Sequence, residues 1–233
     1  MNRTPSGRRY FVTGTDTAVG KTRVTVGLLA AARALGATVA GMKPVAAGAI
    51  RQEGGLFSDD ALRIAAVCSR SIPYGALNPF CLEEPVSPHI AADKANVRID
   101  ISRIVEIERG LSPGLDLMLI EGAGGWYCPI GLEQTMADVA RSLNAPVILV
   151  VGLKLGCLNH ARLSREAIRR SSCRLAGWIG SQTDSAFCTL SENLAALERI
   201  FRAAPLAVLP HAADPLHDAP HLRSAAQRLL RYT

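Results

Sequence analysis

The sequence predicts an α/β protein with a doubly wound, mainly parallel sheet and helices on both of its faces. Three observations carry this. Runs such as Leu115–Ile120 and Pro146–Val151 are almost continuously apolar, as strands covered on both sides must be. Between such runs lie stretches whose apolar residues recur at helical spacing. Glycines sit where strand gives way to helix, most visibly at Gly14 and Gly20. Strands alternating with helices mean crossover connections and parallel pairing. The 233 residues, 48% hydrophobic and 20% charged, suit one globular domain over 1–233, with 1–8 as an N-terminal tail.

The elements follow in order. Tyr10-Phe11-Val12-Thr13 is a β-prone run that ends at Gly14. From Lys21 the period becomes helical: Val24, Leu28, Ala31 and Leu35 share one face, and Gly36 supplies the stop. Thr38–Met42 is a second strand leading into Lys43-Pro44, and Val45–Phe57 reads as a loop. Ser58 caps a helix running to about Cys68, with Asp59 and Asp60 in the first turn where the helix dipole favours carboxylates. Asn78-Pro79 and Ser87-Pro88 break the chain's middle, and a helix covers Asp100–Glu108. After the two apolar strands come a helix near Leu158–Arg170, strand Leu175–Gly180, helix Leu190–Phe201, strand Leu206–Leu209 and a terminal helix from His221.

Composition excludes several function classes. No apolar run reaches the roughly 20 residues of a membrane span, and the first residues lack the apolar core of a signal peptide. The six cysteines are scattered singly, so reduced thiols in the cytoplasm are expected and a zinc site is not. The five histidines form no metal-ligand spacing. The net charge of +6 is spread over dispersed arginines rather than a basic block, which gives no footprint for nucleic acid. Only four of the 26 basic residues are lysines: Lys21, Lys43, Lys94 and Lys154. Where a chain otherwise uses Arg, a retained Lys suggests a need for a compact ammonium.

Chemistry concentrates in few places. Gly14-Thr15-Asp16-Thr17-Ala18-Val19-Gly20-Lys21-Thr22 joins the first strand to the first helix. Exposed amides, a Gly before the Lys, an ammonium and a hydroxyl at a helix N-terminus are the parts of a triphosphate-binding loop. The glycines flank five residues rather than the usual four. Lys43, Asp60 and Glu121 each fall at or just beyond a strand's carboxyl end, where open α/β sheets hold ligands. Taken alone, Lys43 also reads as a solvated strand end and Asp60 as simple helix-start electrostatics. Glu121 precedes Gly122-Ala123-Gly124-Gly125, a position from which a carboxylate can reach Mg²⁺. Gly156-Cys157-Leu158-Asn159 opens a helix, whose free amides suit a carboxylate.

On these residues the chain resembles the dethiobiotin synthetases, ATP-dependent ligases with a phosphate-loop NTPase-like fold. The likeness runs through Tyr10–Thr17, the phosphate loop, Lys43-Pro44-Val45, Ser58–Leu62, Glu84–His89, Glu121–Trp126, Pro146–Gly152 and Lys154–His160, and fades beyond Trp178. The resemblance implies that ATP and CO2 convert 7,8-diaminononanoate into a cyclic urea. One amine takes up CO2 as a carbamate, which attacks the γ-phosphoryl group, and the second amine closes the ring. It further implies that Lys21, Lys43 and Thr17 act at the reacting groups, and that Thr22, Asp60 and Glu121 organise Mg²⁺. The nucleotide would lie on Ala18, Val19, Gly20, Lys21, Thr22 and Arg23, on Asp60, Glu121, Gly122, Ala123 and Gly124, and on Ser181, Gln182, Pro210, His211 and Ala212. The substrate would meet Ala47 and the amides of Gly156, Cys157, Leu158 and Asn159, the latter from the partner subunit of a homodimer.

The sequence departs from that family in places. Ala18 stands where an acidic residue is common and Ala47 where a serine is. Ser181-Gln182 replaces the Asn that often reads adenine, so relaxed base selectivity is expected, or selectivity supplied by Pro210-His211-Ala212. Two other readings share the fold. A nucleotide-switched ATPase of the septum-positioning type would carry an extra Lys early in the loop, which Thr15-Asp16-Thr17 lacks, and often a basic amphipathic membrane helix. His221–Arg231 is amphipathic enough to suggest one, or to pack on the sheet. A related amidoligase would add a glutamine-cleaving Cys/His domain, which is not expected here.

Overall fold

The computed structural model describes residues 8–187, 189–211 and 218–231. Six parallel strands form the central sheet: β1 (Arg8–Gly14), β2 (Val39–Met42), β7 (Leu117–Gly125), β8 (Val147–Leu153), β9 (Leu175–Gln182) and β10 (Ala207–Leu209), in the order β10-β9-β8-β1-β7-β2. Strand β1 therefore sits between β7 and β8, with Phe11 opposite Ile120 on one side and Val147 on the other. The chain leaves β1 toward one edge and builds the other edge later, so the loop after β1 opens at the switch point where α/β ligands bind.

Alternation along β1 defines the two faces. Tyr10 points to one, where its hydroxyl donates to the Leu229 carbonyl at 2.9 Å. Arg9 and Phe11 point to the other, toward Glu108 and Trp126. The first face carries α1 (Lys21–Ala34), α2 (Asp59–Val67) and α9 (Ala219–Arg231). The second carries α5 (Ile101–Leu111), α6 (Met136–Leu143), α7 (Cys157–Arg170) and α8 (Leu190–Phe201), packed as α5 on α6 and α7 on α8. Val147–Leu153 is buried throughout, as its unbroken apolar run requires. The apolar stripe of α9 (Leu222, Ala225, Ala226, Leu229) is buried against α1 and so is not presented to a membrane.

Several boundaries differ from the sequence reading. Arg8 belongs to β1, paired with Leu117, rather than to the tail; residues 1–7 lie outside the described residues. The segment 45–57 is no plain loop. It holds β3 (Val45–Ala47), which pairs with β6 (Phe80–Leu82), and a hairpin of β4 (Ile50–Gln52) and β5 (Gly55–Phe57). Ser58 occupies the N-cap of α2 without a capping side-chain bond; its amide instead donates to the Tyr74 hydroxyl just beyond Pro73, in α3 (Tyr74–Leu77). Ser87-Pro88 starts a helix instead of breaking one, because proline at the first position of α4 (Pro88–Lys94) loses no hydrogen bond. Strand β7 continues through Glu121 to Gly125, and α6, absent from the sequence reading, begins at a Thr135–Asp138 capping box. The five described cysteines are free; Cys188 lies outside the described residues.

Candidate active site at the phosphate loop

The loop after β1 turns into α1 through Gly20, whose φ of 90° places it in the left-handed region that favours glycine. An added Cβ there would stand 2.7 Å from the Ser181 hydroxyl, so the end of β9 lies directly against the loop. Ala18 is also left-handed (φ 56°), which fits a residue that offers its backbone. Val19 is buried, side chain inward. Lys21 folds back over the loop, its ammonium donating to the Asp16 carbonyl at 2.8 Å. Burial, and next the neighbouring charge of Lys43, lower its pKa to about 8.

Lys43 leaves the end of β2 and reaches the same place. Its Nζ donates to Glu121 Oε1 at 2.6 Å, to Asp60 Oδ2 at 2.9 Å and, at 3.4 Å, to the Gly122 carbonyl. Burial pulls its pKa down, but the attraction of Glu121 and then Asp60 outweighs that and holds it above the ordinary lysine value. Asp60 shows the mirror effect: burial raises its pKa, and Lys43 and Thr22 bring it below the usual carboxylate value. Thr22 Oγ1 lies 2.7 Å from both Asp60 Oδ1 and Glu121 Oε1, one hydroxyl hydrogen facing two carboxylates. Glu121 is fully buried, and its Oε2 has no hydrogen-bond partner.

A cleft of about 640 Å³ opens over this cluster. Thr17, Ala18, Gly20, Lys21, Thr22 and Lys43 line it, as do Ala47, Asp60, Ala123 and Gly124. The sequence reading thus brings together loop, lysines and carboxylates from β1, β2, α2 and β7. It missed the opposite wall, Pro85-Val86-Ser87-Pro88, and Cys128, although Glu84–His89 carries part of the family likeness. Gly122 stands just below, giving its carbonyl to Lys43.

Other expected residues do not line this cleft. Ser181 and Gln182 end β9; Gln182 accepts from the His211 amide at 3.3 Å and donates to the Asp184 carbonyl. The Pro210 carbonyl accepts from Arg23, whose side chain turns away from the cleft and pairs with Asp218. Arg23 thus spends its Nε and Nη2 donors on Asp218 and Pro210 rather than over the phosphate loop. Ala212 lies outside the described residues. Gly156, Cys157, Leu158 and Asn159 form the start of α7 and do not line the cleft of their own chain. Lys154 sits 3.7 Å from Asp16, and Lys94 pairs with Glu84 on the surface.

Comparison with known proteins shows the family. The model of an AAA domain family matches residues 8–216. The ATP-dependent dethiobiotin synthetase of Aromatoleum aromaticum is 46% identical over 93% of this chain and 97% of its own length. The chain belongs to the dethiobiotin synthetase family. The synthetase of Pseudomonas paraeruginosa is 44% identical over 91% of this chain and 95% of its own. Among solved structures, the septum site-determining protein MinD of Pyrococcus horikoshii, complexed with Mg-ADP, superposes with a TM-score of 0.63 at 17% identity, covering 96% of each chain. MinD of Aquifex aeolicus gives 0.59 at 18%, covering 97% of this chain and 98% of its own. At such identities those structures show the fold alone, and a synthetase shares it. Among the described residues no helix is long and apolar enough to cross a membrane.

Proposed function

We propose that the cleft over Lys21, Lys43 and Glu121 is where this chain, acting as a single cytoplasmic domain, carries out the reaction of its family. That reaction is the ATP-dependent closure of the dethiobiotin ring in biotin synthesis. The triphosphate would lie on the amides of Ala18–Thr22, with Lys21 at its outer phosphates. The carbamate formed from CO2 and one amine of 7,8-diaminononanoate would enter beside Thr17 and Ala47, under the wall at Pro85–Pro88. Lys43 would face both the carbamate and the γ-phosphoryl group. A carbamate oxygen attacks that phosphorus as ADP departs; the second amine then attacks the carbamoyl carbon, and phosphate leaves.

The observation that carries this reading is the convergence of two buried ammoniums and two carboxylates at one triphosphate loop. Two anions must approach each other here. At 4 Å, unit charges interact by about 4 kcal/mol at an effective dielectric near 20, so cations at the transferred group decide the rate. No general base is required, because a carbamate is already nucleophilic.

The residues present fit Mg²⁺. Among the described residues no three His, Cys, Asp or Glu side chains converge as a transition-metal site would. Instead, Thr22, Asp60 and Glu121 offer hard oxygens, and the unpartnered Glu121 Oε2 is a buried acceptor without a donor. Mg²⁺ favours such a set, with water filling its remaining positions. Bound there, it would neutralise charge on the phosphates. Since Gly156–Asn159 lie off the cleft of their own chain, we infer that a second subunit brings its α7 amides to the substrate's distant carboxylate in a homodimer. The direct test is mass spectrometry of the product from ATP, Mg²⁺, bicarbonate and 7,8-diaminononanoate. Dethiobiotin and phosphate should form only when all four are present, and phosphate release without the diamine would count against the reading.

A further inference from the structure

Arg23 follows Thr22 and yet faces the other way. Its Nε and Nη2 grip the two carboxylate oxygens of Asp218 at 2.5 and 2.6 Å, and Nη2 also donates to the Pro210 carbonyl at 2.8 Å. Asp218 is 1% exposed and the Arg23 side chain 11%, so this is a buried, two-pronged pair. Asp218 immediately precedes α9, and that helix packs so closely on α1 that a Cβ at Gly27 would stand 2.5 Å from Leu222. From the opposite side, Gln182 accepts from the His211 amide. Pro210–His211, just beyond β10, is thus fastened twice, once to the helix that begins with Lys21 and once to the end of β9. Ser181, between these fastenings, lies against Gly20.

A buried ion pair is a poor way merely to dock a helix, since apolar residues of the same volume usually do so as well or better. What an apolar pair cannot supply is the third contact, a directed hydrogen bond that sets where the Pro210 carbonyl stands. We propose that Arg23 is a positioning residue for the nucleoside end of the triphosphate. Through Asp218 and the Pro210 carbonyl it fixes Pro210–His211 as the wall against which base and ribose lie, and its side chain takes no part at the phosphates. The proposal rests on the reading that ATP occupies the phosphate loop.

Inorganic tripolyphosphate has the phosphates without the nucleoside and separates the possibilities. Calorimetric binding of Mg-ATP and Mg-tripolyphosphate is measured for the wild-type chain, Arg23→Met, Asp218→Asn and Gln182→Ala. The last loosens the same wall from its other side without unpairing a buried charge, and keeps the test open if the first two fold poorly. ATP affinity should fall about tenfold in each variant, the worth of a positioning hydrogen bond, while tripolyphosphate affinity moves less than about twofold. In turnover, KM for ATP should rise correspondingly, with kcat at saturating ATP within about threefold. Equal losses for both ligands would overturn the proposal by placing Arg23 at the phosphates. Lowered melting temperatures with unchanged ATP binding would overturn it by making the pair only a helix fastening. A wild-type chain that binds neither ligand would remove the nucleotide reading and this proposal with it.

Discussion

Replacing Lys43 by Met removes an ammonium that two carboxylates share. Its Nζ stands 2.6 Å from Glu121 Oε1 and 2.9 Å from Asp60 Oδ2, and Glu121 has no exposed surface. Unpairing a charge in such a place costs about 3–5 kcal/mol. In a chain of this length that lowers Tm by roughly 6–20 °C. A divalent cation would take over the ammonium's role, so Mg²⁺ should stabilise the variant more than the wild-type chain. At a hundredfold excess over its Kd it returns about 2.7 kcal/mol. Turnover should not recover with stability, because the charge facing the transferred phosphoryl group is gone; kcat should fall about 10²–10³-fold. Lys43→Arg should lose turnover too, its planar fork being unable to stand where a compact ammonium does. The assays are thermal melts with Mg²⁺ or EDTA and coupled phosphate release. Near-normal turnover in Lys43→Arg, or a Mg²⁺ stabilisation no larger in Lys43→Met than in the wild-type chain, would refute the assignment.

Lys21 gives a pH signature. With its folded pKa lowered to about 8 by burial and by Lys43, the folded chain releases a proton that the unfolded chain keeps up to about 10.5. Stability of the nucleotide-free protein should therefore gain from this group as pH rises from about 8 to 10.5, and chemical denaturation of Lys21→Met should lack that gain. Triphosphate binding favours the protonated amine, so ATP affinity measured by calorimetry should decline above pH 8. Gly20→Ala should weaken ATP binding, since it forces a side chain into the left-handed region and against the Ser181 hydroxyl at 2.7 Å. Adding Ser181→Ala should restore part of the lost stability, and a melt showing no coupling would contradict that packing. Finally, Ser181 lies against Gly20 of the loop and Gln182 is engaged with Asp184 and His211, so other nucleoside triphosphates should support turnover. Strict ATP dependence in a competition assay would exclude it.

What could be read from the sequence was local or fell at strand ends. The β1–loop–α1 unit carries its whole signal in some twenty consecutive residues, so loop and helix emerge together. Lys43 and Glu121 were visible as charged residues closing apolar runs, but their ion pair joins strands that only the sheet order makes neighbours. Strand β3 was invisible because three residues cannot show a period, and its partner β6 lies 35 positions on, Val45 opposite Phe80. The wall at Pro85–Pro88 was hidden because proline there was read as a break, although proline also begins helices. Helix α6 did leave a mark: Thr135-Met136-Ala137-Asp138 has the spacing of a capping box. Arg23 was expected at the nucleotide from its adjacency to Thr22, and its bonds to Asp218 and Pro210, 195 and 187 positions on, left no mark in the sequence. Successive residues on a helix point about 100° apart, so a neighbour in sequence need not share a face.

The lysines sort by the physics that distinguishes them from arginine. Lys94 and Lys154 are about half exposed, and each sits by a single carboxylate, contacts that a guanidinium would serve equally. Lys21 and Lys43 are 7% and 4% exposed, under a loop whose amides must stay free for a ligand. A guanidinium presents its donors in a fixed planar fork, whereas an ammonium is a compact point charge whose three donors rotate between partners. An ammonium on a flexible stem can leave the Asp16 carbonyl or the carboxylates and swing onto an incoming phosphoryl oxygen. Those partners hold both amines beside the phosphate loop. On this account the short contacts of Lys43 with Glu121 and Asp60 are the resting position of a group that shifts when nucleotide and cation arrive. Nucleotide with Mg²⁺ should then abolish the stabilising effect that Lys43 has on the empty protein, leaving wild-type and Lys43→Met melting temperatures closer together than in EDTA.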